Sequence, residues 1–351
     1  MSDRSPPPSF IEHGASALPA VTVDAYNAEM KTPEGFLGDR ASSRAFKSLL
    51  DHWRKRLRAV EGEDPLGPAP TAEIGRRDLD RLLTEGDAET AGLVHSVVEE
   101  FAQSLAMVVQ RLLKLKAWEG VERIVVGGGM RASRVGELAI GRTGMLLKGE
   151  GLKLDLQPIR HDPDEAGMIG AVQLAPSFIF KGHDALLAVD IGGSNMRAGL
   201  VRPHLKKAPD LSAACIWESE IWRHRDDKPA REEAIDRLVE MLQDLQRKAG
   251  KRGLALAPFI GVGCPGRIEA DGSIAKGAQN LPGNWESSRF NLPQRLREAL
   301  PEIDGQDTVV VLHNDAVVQG LSQAPWMGDV RRWGVLTIGT GLGNACFSNR
   351  A

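Results

Sequence analysis

The sequence predicts an α/β protein that contains a mixed sheet. Short apolar runs of strand length alternate with amphipathic stretches of helical period along most of the 351 residues. At Leu186–Val201, two apolar runs are separated only by a Gly-Gly-Ser turn, so these strands form an antiparallel pair. Strands that alternate with helices are typical of sheets covered by helices. The predicted sheet therefore contains both strand directions.

The N-terminal part begins without periodicity, and we expect a loop over Met1–Lys31. A helix is predicted over Ala41–Ala59, and a Pro/Gly-rich connection follows at Gly62–Pro70. The strongest helical pattern starts after an N-cap at Asp87. Its apolar residues recur every three or four positions and predict one buried stripe. They are Leu93, Val97, Phe101, Leu105, Val109 and Leu112.

The following stretch leads up to the glycine turn. Arg123–Val126 is predicted as a strand that runs into three glycines, with a helix from about Ser133. Alternating leucines predict a strand at Leu152–Leu156. Asp164–Ala175 is predicted as a helix with small residues on one side, which would let another helix approach closely.

The C-terminal half continues the alternation, with a loop at Gly277–Trp285. The predicted strands and helices after the hairpin are Ala213–Trp217, Arg231–Lys248, Phe259–Cys264, Asn291–Leu300, Thr308–Leu312, Ala316–Gln323 and Trp333–Ile338.

Composition limits the class of protein. The length suggests two domains, and 42% hydrophobic residues predict a globular chain. A net charge of −3 without a basic run argues against nucleic-acid binding as the main activity. The N-terminus lacks the apolar core of a signal peptide, and no stretch is long enough to span a membrane.

The cysteines Cys215, Cys264 and Cys346 are widely spaced and form no Cys-x-x-Cys pair. This spacing favours neither a disulfide framework nor a zinc cluster. We therefore expect a cytoplasmic protein with reduced thiols.

Three glycine turns follow strands, at Gly192-Gly193-Ser194, at Gly339-Thr340-Gly341 and at Gly127-Gly128-Gly129. Backbone N–H groups in such turns suit a phosphate because no Cβ blocks its approach. Asp190 stands just before the first turn, where a carboxylate suits a Mg²⁺ that accompanies nucleotide phosphates. An ordinary glycine hairpin is the alternative interpretation of this stretch.

A strand is also predicted to deliver Asn314 and Asp315 to its C-terminal end. Asp315 is placed where a general base could accept a proton from a substrate hydroxyl. The alternative is that Asp315 caps the helix that starts at Ala316, because Asp is a common N-cap residue.

Taken together, these motifs resemble those of the ROK family of sugar kinases, within the actin/hexokinase/Hsp70 superfamily. The resemblance covers most of the chain from about Asp87 to Ala351. The segments that carry it are RIVVGGGM (adenosine motif), EAGMIGAVQLA (last helix), AVDIGGSNMRAGLV (first phosphate motif), IGVGCPGRIEADG, QNLPGNW, HNDAVVQG (catalytic Asn-Asp) and LTIGTGLGNA (second phosphate motif).

The resemblance implies a two-lobed, actin-like ATPase fold of the ribonuclease H type, with mixed sheets. It implies ATP-dependent phosphorylation of a hexose, at the 6-hydroxyl as in glucokinases, with Asp315 as the base and the substrate held by Asn280, Asn314 and Asp315. ATP would lie in a cleft between the lobes, and a homodimer is plausible by resemblance. The implied nucleotide-site residues are Asp190 (for Mg²⁺, through water), Gly192, Gly193, Ser194, Gly339, Thr340, Gly341, Gly128 and Gly129.

The order of the motifs departs from the family. The adenosine motif and the small-residue helix come before the first phosphate motif, whereas ordinary members begin with that phosphate motif. We interpret this order as a circular permutation, with the old termini joined near Pro176–Asp184; a gene fusion is the alternative. The predicted lobes are residues 1–163 with 306–351 (larger) and residues 164–305 (smaller).

The sugar-side segment also departs from the family, which usually has Glu-x-Gly-His and then a Cys/His zinc cluster. Here the candidate sugar-binding residues Glu12 and His13 are adjacent within Phe10–Gly14 rather than three apart, so at most one of them aligns directly. The segment contains no cysteine, so no zinc site is predicted. Asp39 or Glu34 is a candidate replacement for the family's last glutamate. A polar surface loop is the alternative interpretation of this segment.

Two other functions remain open from the sequence. The first is a non-catalytic, sugar-sensing protein, since the family includes repressors; however, no helix-turn-helix with a basic recognition helix is predicted here. The second is a filament-forming or chaperone-type ATPase of the same superfamily, against which HNDAVVQG and QNLPGNW argue by resemblance. The sequence does not identify the sugar.

Overall fold

A computed structural model describes residues 12–33 and 35–350. The helices in this part of the chain are α1 (Ser43–Glu61), α2 (Arg76–Glu85), α3 (Ala88–Leu113), α4 (Arg134–Gly149), α5 (Ala166–Gly170), α6 (His224–Asp227), α7 (Arg231–Lys251), α8 (Leu292–Ala299) and α9 (Asp315–Leu321).

The strands are β1 (Val21–Tyr26), β2 (Lys31–Thr32), β3 (Gly35–Phe36), β4 (Arg123–Gly127), β5 (Asp155–Pro158), β6 (Ala185–Ile191), β7 (Met196–Arg202), β8 (Cys215–Trp222), β9 (Leu256–Cys264), β10 (Arg267–Ile268), β11 (Ile274–Lys276), β12 (Glu302–Ile303), β13 (Gln306–Asp307), β14 (Val309–Asn314), β15 (Arg332–Ile338) and β16 (Leu342–Asn349).

The chain forms two compact units. Unit 1 contains Met1–Val23, Glu165–Asp329 and Ser348–Ala351, and unit 2 contains Asp24–Asp164 and Val330–Phe347. The boundary near residue 164 agrees with the predicted one, but residues 306–329 and the N-terminal segment belong to the other unit. The reason is strand pairing, because β14 lies beside β9 and the N–H of Gly14 donates to the carbonyl of Leu312.

Unit 1 is built on a five-stranded sheet in the order β8-β7-β6-β9-β14. Strands β6, β9 and β14 are parallel, whereas β7 and β8 run antiparallel to their neighbours. All seven residues of β6 are buried, which is typical of a strand covered by helices on both faces. Alternate residues of β6, such as Leu187 and Val189, pack with α7 in one core cluster. Asp190 therefore lies on the opposite face.

Unit 2 contains a second five-stranded sheet, in the order β1-β16-β15-β4-β5. Strands β15, β4 and β5 are parallel. Hydrogen bonds from the N–H of Arg350 to the carbonyl of Ala20, and from Asn27 to Asn344, make β1 and β16 antiparallel. Counted from β15, with β1 after β16, this sheet has the same strand order as the sheet of unit 1. Helices α1, α3 and α4 share its apolar core.

The structure confirms most of the predicted elements. Helix α3 buries the predicted stripe, and the Asp87 carboxylate accepts a hydrogen bond from the N–H of Thr90 at 2.8 Å. The mixed α/β class is likewise confirmed by the two sheets. Strand β1 forms where we expected loop, because its partner β16 comes from the other end of the chain. Helices α2 and α6 were also missing from the prediction.

The small residues of the predicted helix Asp164–Ala175 do allow close packing. The segment forms α5 and one 3₁₀ turn, Ala171–Leu174, and it lies against α9. A Cβ at Gly170 would stand only 1.7 Å from the carbonyl oxygen of Val318. No rotamer change can relieve a clash with backbone, so the contact requires glycine.

We expect Gly170→Ala to destabilise the protein by about 2–3 kcal/mol, because α5 and α9 must move apart. Gly141→Ala is the matched control, since Gly141 is exposed on α4 and its Cβ would have nothing within 4 Å. That change should be neutral or stabilise by up to about 1 kcal/mol. Guanidinium denaturation measures both, and equal stabilities would contradict the packing argument.

Candidate active site

The candidate site of unit 1 lies at the carboxyl ends of its parallel strands. Asp190 of β6 pairs in register with Gly263 of β9, and Gly263 pairs with His313 of β14. Asn314 and Asp315 follow at the end of β14. The fold thus brings Asp190 and Asp315 to one edge of the sheet. Between them stands a glycine, so no side chain fills that position.

The Asn314 side chain makes all of its hydrogen bonds inside the protein. Its Oδ1 accepts from the N–H groups of Ala316 and Val317, and its Nδ2 donates to the Gly266 carbonyl and to Asp315 Oδ1, both at 3.0 Å. Asn314 is fully buried. Asn314, rather than Asp315, is therefore the N-cap of α9. A buried amide with every donor and acceptor used orients Asp315. The contact of Asn314 with a sugar hydroxyl, which the resemblance implied, stays a prediction.

The carboxyl of Asp315 is partly buried. Burial and then the negative charge of Asp190 raise the pKa of Asp315 to about 7, although hydrogen bonds from its own backbone, Ala316 and Asn314 oppose the rise. A carboxyl with a pKa near neutral pH can exist as either acid or base, which suits proton transfer. The alternative helix-cap role is taken by Asn314, so Asp315 is not needed for that purpose.

Asp190 is buried, with 7% of its surface exposed, and forms an ion pair with Arg197 at 3.0 Å across the β6–β7 hairpin. A Cβ at Gly167 of α5 would lie 2.5 Å from the Asp190 carboxyl carbon, so this helix closes over the side chain. Mg²⁺ bound with a nucleotide usually takes one or two carboxylates together with phosphate oxygens. Two carboxylates at one edge of the sheet fit such a cation.

The first glycine turn joins β6 to β7. The N–H of Gly192 donates to the carbonyl of Asn195 at 2.8 Å and closes the turn. A Cβ at Gly193 would stand 3.0 Å from the Cβ of Asn280, so the predicted substrate residue Asn280 lies beside this turn. Asn280 itself is exposed. The structure therefore brings the turn and the Gly277–Trp285 loop together.

The other two glycine turns belong to unit 2, where they are neighbours. Strand β4 pairs with β15, and a Cβ at Gly128 (φ +83°) would stand 2.5 Å from the carbonyl oxygen of Ile338. The Gly339–Gly341 turn is closed by a hydrogen bond from the N–H of Gly339 to the carbonyl of Gly341, across Thr340. At Gly129 a Cβ would meet the guanidinium of Arg76 at 2.6 Å. Gly128 therefore has no room for a side chain, whereas a Cβ at Gly339 or Gly341 would make no close contact.

The N-terminal residues lie along β14. His13 Nδ1 accepts from the N–H of Leu312 at 3.1 Å, and His313 Nε2 contacts the Ala15 carbonyl at 3.1 Å. The N–H of Asn314 donates to His313 Nδ1, so the Ala15 carbonyl receives the Nε2 hydrogen of a neutral imidazole. Burial lowers the pKa of His313 to about 4. Residues 13–15 therefore lie against β14 as an irregular segment that these hydrogen bonds attach to the strand.

The residues predicted for the sugar side fall in both units. Glu12 is exposed, whereas His13 is partly buried and engaged with β14. Asp39 lies exposed in unit 2, within a 3₁₀ turn. Glu34, Phe10 and Ile11 lie outside the described residues. In the part of the chain that the structure describes, no three His, Cys, Asp or Glu side chains are arranged to hold a metal ion.

Sequence reasoning missed three residues at this edge. Arg197 was detectable in principle, because the register of a tight hairpin pairs it with Asp190. Cys264 is fully buried near both carboxylates, and burial, Asp315 and Asp190 together raise the pKa of its thiol well above the ordinary value. His224 contacts the Gly192 carbonyl from 32 residues away, so no local pattern predicts it.

The chain matches a glucokinase from Thermotoga maritima with 29% identity over 167 residues. The chain is therefore similar to that glucokinase over about half of its own length. The match covers 47% of this chain and 44% of the glucokinase. It confirms the resemblance to sugar kinases that the motifs predicted. No family model matches the chain.

Two solved structures are also similar to the chain. The ROK hexokinase from Thermus thermophilus has 23% identity and a TM-score of 0.28, and the alignment covers 38% of this chain and 35% of the hexokinase. The Lmo2764 protein from Listeria monocytogenes has 23% identity and a TM-score of 0.33, with 47% of each chain covered.

The described helices include none that is long and apolar enough to cross a membrane.

The raised pKa of Asp315 makes a prediction about stability. A carboxyl whose pKa is higher in the folded state than in the unfolded state costs stability at high pH, and the cost disappears below the unfolded pKa near 4. Asp315→Asn should therefore raise the free energy of unfolding by about 1–2 kcal/mol at pH 8.5. The gain should shrink as the pH falls through 7 and vanish near pH 4.

Urea denaturation at pH 4.5, 7 and 8.5 measures this effect. Asp307→Asn is the matched control for the removal of one carboxyl, because Asp307 is exposed in β13. A gain for Asp315→Asn that is the same at all three pH values would contradict the raised pKa.

Proposed function

We propose that the protein is a ROK-type sugar kinase that transfers the γ-phosphoryl group of ATP to a hexose hydroxyl, with Asp315 as general base. The observation that carries the proposal is the placement of Asp315 at the end of β14, beside Asp190, with its pKa raised to about 7. Homology to a glucokinase over part of the chain supports the same reaction. The chain spans less than half the length of that relative, so the activity is proposed for this chain.

The proposed chemistry at Asp315 is simple. The carboxylate accepts the proton of the substrate hydroxyl as the oxygen attacks the γ-phosphorus atom, and the bond from that phosphorus to the β–γ bridging oxygen breaks to leave ADP. Asn314 holds the Asp315 carboxyl through Nδ2 at 3.0 Å and keeps it in one orientation. Asn280, exposed beside Gly193, is the residue we assign to a sugar hydroxyl. The 6-hydroxyl is the proposed acceptor, by similarity to glucokinase.

The nucleotide is assigned to the glycine turns. The turn Gly192–Ser194 of unit 1 and the turn Gly339–Gly341 of unit 2 are each proposed to face phosphates. The N–H groups of Gly192 and Gly339 close their turns, so the amides proposed to donate are those of Gly193 and Gly341. Gly128 and Gly129 are proposed to contact the adenosine. Asp190 would hold Mg²⁺, directly or through water, and the ion would neutralise charge on the transferred group.

Asp315→Asn should abolish sugar-dependent ADP production, because the amide cannot accept the proton, while binding of the sugar remains within about threefold of the original. For the unchanged chain, kcat/KM should rise with pH along a limb centred near pH 7, as expected for the pKa of Asp315. A coupled ADP assay against a panel of free hexoses, including N-acetylated ones, provides both measurements.

Asp307→Asn is again the control and should keep full activity. Turnover retained by Asp315→Asn would refute the base assignment. No ADP production with any hexose, combined with measurable sugar binding, would favour the non-catalytic sensor.

We also propose that the motif order is a circular permutation. The two sheets support it, because the strand order of unit 2 matches that of unit 1 only when β15 and β16 are counted before β1. Residues near the two ends of the described chain are adjacent, because the N–H of Arg350 donates to the carbonyl of Ala20 at 3.1 Å. One copy of each motif argues against a fusion of two genes.

A rearranged gene tests the permutation. The new chain would begin at Lys181, run to Arg350, continue through a Gly/Ser linker of about 10 residues, which reaches about 17 Å, and then run from Glu12 to Phe180. We expect the same far-UV circular dichroism and a kinase rate within about threefold. A chain reopened between Gly261 and Val262, inside β9, is the control and should not fold. An unfolded product from the Lys181 opening would contradict the proposal.

A further inference from the structure

His224 is a buried histidine that touches the first glycine turn. It is 3% exposed, and its Nε2 lies 2.9 Å from the carbonyl oxygen of Gly192. Because a carbonyl can only accept, Nε2 carries the hydrogen in this contact. The next residue, Arg225, donates its backbone N–H to the carbonyl of Ser194 at 3.2 Å. The turn is therefore attached to α6 through two of its carbonyl groups.

Attachment through these carbonyls decides where the neighbouring N–H groups point. In a trans peptide, the C=O of one residue and the N–H of the next point in opposite directions, and the described chain contains no cis peptide. Since the carbonyls of Gly192 and Ser194 point toward α6, the N–H groups of Gly193 and Asn195 point away from it. Two amides on the same side of a turn form the kind of concavity that binds an anion.

The short helix that carries His224 is itself held in place. Trp222, the last residue of β8, pairs with Met196 at the start of β7. Its indole Nε1 donates to the Asp227 carboxylate at 2.6 Å, and the N–H of Lys228 donates to the carbonyl of His224 at 2.9 Å. The imidazole is thus fixed relative to the strand that the turn enters. A buried, fixed donor holds a flexible glycine turn in one conformation.

We propose that His224 is a positioning residue for nucleotide phosphates: by holding the Gly192 carbonyl, it aims the N–H groups of Gly193 and Asn195 at the phosphate. This inference rests on the proposed function, because it takes the turn as a phosphate site. His224 does not touch the nucleotide. Its effect should therefore be confined to ligands that carry phosphate and absent from the adenosine part.

Two substitutions at this position separate the donor from the shape of the side chain. His224→Gln can place an amide N–H close to the position of Nε2, whereas His224→Leu removes the donor. We expect His224→Leu to weaken ADP binding about tenfold, the size expected when a buried hydrogen bond is lost, and to leave adenosine binding unchanged. His224→Gln should stay within about twofold for both ligands. Titration calorimetry with ADP and with adenosine on the full chain measures these affinities.

The kinase assay provides a second readout. His224→Leu should raise the KM for ATP about tenfold and change the KM for the sugar and kcat by less than about twofold. His95→Leu, an exposed histidine on α3, is the control and should change neither KM. If His224→Leu does not fold, His224→Asn takes its place, because its shorter side chain keeps polarity but stops short of the Gly192 carbonyl.

Three results would overturn the role of His224. The first is that His224→Leu weakens the binding of ADP and of adenosine equally, and the second is that His224→Leu or His224→Asn leaves ADP binding unchanged. The third is that His224→Gln binds ADP as weakly as His224→Leu. A different outcome would refute the proposed function: if the unchanged chain binds neither ADP nor adenosine, the nucleotide site itself is absent and the positioning role goes with it.

Discussion

The placement of two carboxylates at one edge of a sheet is the constraint on which the candidate site depends. Asp190 lies near the end of β6, and Asp315 follows the end of β14. Strand β9 lies between these two strands and places Gly263 at this level of the sheet. Burial, and then the negative charge of Asp190, raise the pKa of Asp315 to about 7. The Asp190 carboxylate forms an ion pair with Arg197, and the Asp315 carboxyl accepts a hydrogen bond from Asn314. A proton on Asp315 or a bound cation would offset the remaining negative charge.

Glycines around this edge of the sheet let the backbone of neighbouring elements approach the two carboxylates closely. Gly167 of α5 lies against Asp190, and Gly263 leaves the space beside Asp315 without a side chain. Gly170 lets α5 approach the backbone of α9, the helix that Asp315 begins. Small residues in these helices therefore have a direct structural reason. They allow polar groups and main chain to occupy a region that larger side chains would fill.

Both sheets have the same strand order, although the strands come from different parts of the chain. In unit 1 the five strands follow one another in sequence, whereas in unit 2 the antiparallel part combines β15 and β16 with β1 from the opposite end. Strands from distant segments can pair because hydrogen bonding in a sheet requires strands to be neighbours in space, not in sequence. The hydrogen bond between Arg350 and Ala20 shows how closely these segments meet. The order of motifs can change while the order of strands in space is kept.

Local sequence determined much of this protein. The periodicity of α3, its Asp87 cap, the β6–β7 hairpin and the delivery of Asn314 and Asp315 to a strand end all depend on neighbouring residues, and the structure agrees with each. Only tertiary structure decided the rest, because it depends on residues far apart in the chain. Strand β1 needs β16 as a partner, and residues 306–329 join unit 1 because β14 finds β9. His13 accepts a hydrogen bond from the N–H of Leu312, and His224 contacts the Gly192 carbonyl. Both contacts join residues far apart in the chain, so no local pattern contains them.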